Sequence, residues 1–87
     1  MRRARMLYDL QFKPQAFKDM KRIPHANASV IISKIEQIKS GLGGDVKRLK
    51  NSFPKYRLRA GVYRVLFEIE SSTIIVYRIL HRRMAYD

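Results

Sequence analysis

Lys55-Tyr-Arg-Leu-Arg-Ala-Gly-Val-Tyr-Arg64, Val65-Leu-Phe-Glu-Ile-Glu70 and Thr73-Ile-Ile-Val-Tyr-Arg-Ile-Leu80 are β-branched and aromatic runs separated by turn residues, and His81-Arg-Arg-Met-Ala-Tyr86 follows them. This is the pattern of a three-strand antiparallel meander. Gly61 fits the first tight turn and Ser71-Ser72 the second. Side chains alternate across a strand. Tyr56 and Leu58 therefore share one face, and Lys55, Arg57 and Arg59 the other. In the next run Tyr63, Val65, Phe67 and Ile69 lie together, opposite Arg64, Leu66 and Glu68. One side of this sheet is apolar and must be buried; the other carries cations.

The cationic side is the strongest chemical signal in the chain. Seven Lys or Arg residues fall between Lys55 and Arg83, against Glu68 and Glu70. The whole chain of 87 residues holds 19 basic and 7 acidic side chains, a net charge of +12. Such a balance selects an acidic partner, and fixed cations on a rigid sheet suit RNA or DNA. Lys55, Arg57 and Arg59 recur about every 6–7 Å along a strand, close to the phosphate spacing of a single strand. Arg64 and Arg82 converge from neighbouring strands, with Lys50, Arg78 and Arg83 as further phosphate contacts. Tyr63, Tyr77 and Tyr86 are candidates to stack bases.

Upstream, residues 7–12 form a short strand candidate ended by Lys13-Pro14. Pro14 suits the first turn of a helix, where its missing N–H costs nothing. Phe17, Met20 and Ile23 give that helix, over 14–23, an apolar stripe, and Pro24 closes it. Ile31, Ile35, Ile38 and Leu42 are spaced four, three and four apart, which predicts a second helix over 25–40. Gly41, Gly43 and Gly44 stop it. Val46 and Leu49, three apart, fit one helical turn. The order is β-α-α-β-β-β: an α+β domain over 7–87, with a helical hairpin packed on one face of an antiparallel sheet. Residues 1–6 read as a flexible basic leader.

Other chemistries find little support. Cysteine is absent and the two histidines are far apart, so neither a disulfide framework nor a metal site is expected, and no cofactor is. No apolar run approaches the roughly 18 residues that span a bilayer. A cytoplasmic setting, without a membrane partner, fits both observations. Gly41-Leu-Gly-Gly44 follows a helix and lacks GK[ST], so it is a loop and not a phosphate cradle. His25 is an isolated helix-start residue. His81, flanked by Arg82 and Arg83, is a candidate proton donor or acceptor.

Phe12-Lys-Pro14, Val46-Lys-Arg-Leu-Lys50, Tyr56-Arg-Leu-Arg-Ala-Gly-Val-Tyr-Arg-Val65 and His81-Arg-Arg83 with Tyr86 occur in order over nearly the whole chain. In this the sequence resembles the RelE family within the RelE/ParE superfamily of toxins. The resemblance implies a fold like that of microbial ribonucleases. It implies metal-independent, ribosome-dependent cleavage of mRNA in the A site, by attack of a 2′-OH on the adjacent phosphate. It also implies a cognate acidic, RelB-like antitoxin, with the ribosome and mRNA as the other partners. Lys55, Arg57, Arg64, His81, Arg82 and Tyr86 fall at the family's catalytic positions, with Arg57 where RelE has lysine. Arg57, Arg64 and Arg82 would stabilise charge on the phosphoryl oxygens. Lys55, His81 and Tyr86 would share proton transfer and positioning. Arg59, Arg78, Arg83 and Lys50 would hold RNA. Two alternatives stay open: a ParE-like poison of DNA gyrase, and a non-catalytic relative that binds RNA or antitoxin.

Overall fold

The computed structural model of the protein describes residues 7–85. The leader at 1–6 and Tyr86, both given roles above, lie outside the described residues. The chain runs β1 (Asp9–Phe12), α1 (Pro14–Lys21), α2 (His25–Ile38), β2 (Val46–Arg48), β3 (Tyr56–Ala60), β4 (Tyr63–Glu70), β5 (Thr73–His81) and α3 (Arg82–Ala85). The strands form one sheet in the order β1-β5-β4-β3-β2. The meander β3-β4-β5 is antiparallel, and its turns fall where the sequence puts them. Gly61 has φ 64° in the β3–β4 turn, and Ser71 and Ser72 have φ 45° and 68° in the β4–β5 turn.

Two strand pairings depart from the sequence reading. Val46–Arg48 is not a helical turn but an edge strand, paired antiparallel with β3 through Val46↔Leu58, Lys47↔Arg57 and Arg48↔Tyr56. The two apolar positions three apart were a weak helical signal, and pairing with β3 overrides it. β1 joins β5 in parallel, so the sheet is mixed. This register sets Leu10 beside Ile74 and Phe12 beside Val76. All four then face the same apolar core. Burial, and not proximity in sequence, thus chooses the partner of β1.

The two long helices lie on the apolar face. Ile31, Ile35 and Ile38 of α2 pack with Leu58, Val65, Phe67, Ile74, Val76 and Ile79 from the sheet. Helix α1 contributes differently from its predicted stripe. Ala16 and Asp19 are its buried residues, Met20 and Ile23 are half-buried, and Phe17 is exposed. Phe17 stacks instead on Phe12, 6.1 Å between ring centres. Small Ala16 lets this eight-residue helix approach β5 closely. Leu42 lies beyond the end of α2 and is exposed.

Asp19 ties α1 to the edge of β5. Arg78 donates to it through Nε and Nη2 at 2.8 and 3.1 Å, the Ile79 N–H at 2.9 Å, and Gln15 at 3.3 Å. Burial alone would raise the Asp19 carboxyl, but these donors outweigh it and hold it below its ordinary value. Arg78 is therefore a clamp between two elements. Its fork is engaged by a carboxylate, while the side chain stays 41% exposed.

Candidate functional site

Helices α1 and α2 both pack on the apolar face, and the other face of the sheet carries the cations. Lys47 and Arg57 are direct cross-strand neighbours there, as are Arg59 and Arg64. With Gly44 and Asp45 they line a pocket of about 270 Å³. Like charges set opposite each other on a sheet repel, so this pocket suits an anionic occupant. Arg64 is only 6% exposed, unusual for arginine. Its Nη1 donates to the carbonyls of Gly61 and Tyr63, each at 3.0 Å, which fixes the guanidinium at the β3–β4 turn.

Asp45 balances part of the rim. Its carboxylate pairs with Lys34 of α2 and lies 3.7 Å from Arg59 Nη2. The Lys34 hydrogen bond, with the charges of Lys34 and then Arg59, holds Asp45 below its usual range. The Asp45 carbonyl also accepts the Arg59 N–H at 2.9 Å. Sequence reading singled out neither Lys47 nor Asp45. Lys47 is legible in principle, because its strand pairs with the cationic run, but Val46 and Leu49, three apart, have the spacing of a helical turn.

The remaining predicted residues fall into three places. Arg82 begins α3 and is exposed, and its backbone N–H donates to the Val62 carbonyl at 2.7 Å. The Gly61-Val62 turn thus holds both the Arg64 side chain and the Arg82 backbone. Arg83, also exposed, is on the same short helix. His81 pairs with Tyr63, their rings edge to face at 5.6 Å. Tyr63 packs on the apolar core, so this register gives His81 the helix-side face, opposite Arg64. The His81 Nδ1 accepts the Arg83 N–H at 3.2 Å and caps α3. Its Nε2 is then the protonated nitrogen of the neutral ring.

Lys55 lies at the other end of β3 from Arg59, about 13 Å along a strand at 3.3 Å per residue. It borders a second cleft of about 700 Å³, lined also by Arg48, Leu49, Lys50, Asn51 and Ser52. Its N–H donates to Glu68 Oε2 at 2.6 Å, and its Nζ is 3.7 Å from Glu68 Oε1. Nearby, Phe53 meets Tyr77 edge to face at 5.1 Å, and Lys13 Nζ sits 5.3 Å from the Tyr77 ring centre. The cations therefore form a continuous strip with two recesses. Arg57, Arg59 and Arg64 share the first, and Lys50 and Lys55 the second. Among the described residues no three His, Cys, Asp or Glu side chains come together as metal ligands would.

Comparison with known proteins assigns this framework. The family model described as ParE toxin of type II toxin-antitoxin system, parDE, matches residues 10–86. The chain belongs to the RelE/ParE family of toxins of type II toxin–antitoxin systems. Toxin RelE3 of Methanocaldococcus jannaschii is 36% identical over 75 residues, 80% of this chain and 85% of the relative. The solved RelB–RelE antitoxin–toxin complex from Methanococcus jannaschii matches with a TM-score of 0.73 at 33% identity, over 88% of this chain and 95% of the matched chain. The archaeal RelE–RelB complex from Pyrococcus horikoshii OT3 matches with a TM-score of 0.75 at 22% identity, over 92% and 100%. That last likeness concerns the fold alone. The α+β architecture expected from the sequence is that of these RelE structures.

Proposed function

We propose that this toxin inhibits translation by cutting mRNA in the ribosomal A site. The observation that carries the reading is the pocket on the cationic face, where Lys47, Arg57, Arg59 and Arg64 gather around about 270 Å³. In the proposed reaction a ribose 2′-OH attacks the adjacent phosphate. A new P–O bond forms, the bond to the 5′-oxygen of the next nucleotide breaks, and a 2′,3′-cyclic phosphate and a 5′-hydroxyl remain. One proton leaves the attacking oxygen and one reaches the departing oxygen. Charge grows on the non-bridging oxygens, and preorganised guanidinium groups stabilise it most there. Arg57 and Arg64 serve that role, and Arg82 joins them from α3. Lys55 and Tyr86 share proton transfer and positioning, His81 contributes by capping the turn of α3 that carries Arg82, and Arg59, Arg83 and Lys50 hold the strand.

The partner is a cognate acidic antitoxin, as in the RelB complexes of the relatives. Net charge favours fast, salt-sensitive association with it. The apolar groove between Leu10, Phe12, Phe17, Met20 and Ile32 offers it a second kind of contact. A ribosomal target places the toxin in the cytoplasm.

The deciding experiment offers the purified protein to ribosomes with a mapped codon in the A site, and separately to DNA gyrase. Cleavage within the A-site codon, with gyrase untouched, is expected. Inhibition of gyrase without cleavage favours the ParE branch, whose name the matching family model carries. Inactivity in both assays, with antitoxin still bound, leaves a binding-only relative.

A further inference from the structure

Glu68 poses a question that the cationic strip does not answer. It is 4% exposed, on the face of the sheet that the arginines occupy. A buried carboxylate is costly unless it is bonded. On a surface that takes a polyanion it also repels the ligand. Both of its oxygens nevertheless serve one residue. Oε2 accepts the Lys55 N–H at 2.6 Å, and Oε1 lies 3.7 Å from the Lys55 ammonium. The first contact sets the backbone where β3 begins. The second sets the direction of the side chain, which at 44% exposure remains within reach of a ligand. Lys55 also anchors the loop before it, because its carbonyl accepts the Leu49 N–H at 2.7 Å.

We propose that Glu68 is a positioning residue, which aims the Lys55 ammonium along the RNA path; this rests on the ribonuclease reading above. A long flexible lysine gains most from such a hold, since its unbound rotamers are many. The carboxylate does not touch substrate. It acts through Lys55, and its value in catalysis disappears when Lys55 has no ammonium to aim.

That dependence is the test. Single-turnover cleavage of A-site mRNA is measured for the parent, Glu68→Gln, Lys55→Ala and the double variant, with folding followed by circular dichroism. Glu68→Gln keeps an acceptor for the Lys55 N–H and removes the ionic hold. It is expected to slow cleavage about 10- to 100-fold, the scale of a small misplacement in an active site. In the Lys55→Ala background the same change is expected to do nothing further. Parent-rate cleavage by Glu68→Gln, or additive losses in the double variant, overturns the proposal. If the parent cleaves no mRNA, the ribonuclease reading fails, and the Lys55 ammonium resonance in ¹⁵N NMR decides Glu68 separately. A resonance that moves in Glu68→Gln upholds the hold on Lys55, and one that stays in place refutes it.

Discussion

The two faces of the sheet are built by opposite rules. On the covered face Leu58, Val65, Phe67, Ile74 and Val76 meet Ile31 and Ile35, and every one is nearly inaccessible to water. Volume and hydrophobicity matter there, and chemical identity matters little. On the other face Lys47 opposes Arg57, and Arg59 opposes Arg64. Those pairs set like charges against each other, and hydrogen bonds and ion pairs such as Arg64 to the Gly61 and Tyr63 carbonyls and Arg59 to Asp45 hold them in place. The covered face thus accounts for the core, and the cationic face is held by polar contacts. A change on one face is expected to leave the property of the other intact. Ile35 is the sharpest probe of the first. Ile35→Ala is expected to cost about 2–5 kcal/mol of stability, read by chemical denaturation. Under conditions where the variant stays folded, its cleavage rate should match the parent's. A loss below 1 kcal/mol would show that α2 is not clamped to the sheet as described.

The converse probe is Arg82→Ala. It is expected to lower single-turnover cleavage by about 10²–10³, or roughly 2.7–4 kcal/mol of transition-state stabilisation. Its stability should hold, because the Arg82 contact to Val62 uses the backbone N–H and survives the change. Arg82→Lys should rescue poorly, since a point charge cannot reproduce the bidentate fork. Full activity in Arg82→Ala would remove α3 from the site and confine function to the strands.

Asp19 belongs to neither face, because it closes the edge where they meet. Asp19→Ala is expected to cost about 1–3 kcal/mol at neutral pH, chiefly by leaving the buried Ile79 N–H without its acceptor. The exposed part of the Arg78 pair adds little. Here pH gives an independent check. The folded carboxyl lies below its ordinary value of 3.8, so its contribution is complete above that value. It is lost as the pH falls through the lower folded value. The stability gap between parent and variant should therefore shrink on acidification below 3.8. A gap that is the same at pH 7 and in strong acid would show that the charge of Asp19 contributes nothing.

The covered face was legible in the sequence because period two and period 3.6 each repeat there. Val65 and Phe67 alternate with polar residues, and Ile31, Ile35 and Ile38 follow a helical stripe. The meander and its turns were legible for the same reason. β2 was not, since three residues carry too little pattern to reveal a partner distant in sequence. The stripe of α1 misled at Phe17, which is exposed and stacks on Phe12, whereas Met20 and Ile23 pack against the core; buried Asp19 looks polar in any hydropathy pattern. Of the candidate site, the cations of β3 and β4 were legible by alternation, but their division between two recesses and the part taken by Lys47 were not. Arg78 shows why: its type and place suited RNA, and only the structure brings Asp19, 59 residues away, to its fork. His81 differs again. Its neighbours in sequence are cations, but a register shift next to Leu66 on β4 precedes its pairing with Tyr63. Alternation counted from the start of β5 then gives the wrong face.

The smallest expected effect comes from a site off both faces. Ser71 and Ser72 turn β4 into β5 between the paired residues Glu70 and Thr73, each with φ in the left-handed region. A two-residue hairpin with both φ positive favours Asn-Gly, since other side chains are strained there. Replacing the pair by Asn-Gly is expected to stabilise the protein by up to about 1 kcal/mol, with glycine's greater unfolded-state entropy offsetting part of the relieved strain. The Asp9 N–H bond to the Ser72 carbonyl, 2.9 Å, uses backbone only and is retained. For a domain of this size 1 kcal/mol corresponds to a rise in Tm of about 4–8 °C, so a rise of a few degrees is readily measured. Cleavage by the variant should equal the parent's, because the turn adjoins neither recess. A lower Tm would mean that the serine hydroxyls contribute more than their backbone costs. A raised Tm with a changed rate would mean that the two faces are coupled through the β4–β5 hairpin, and the separation argued from Ile35 and Arg82 would not hold.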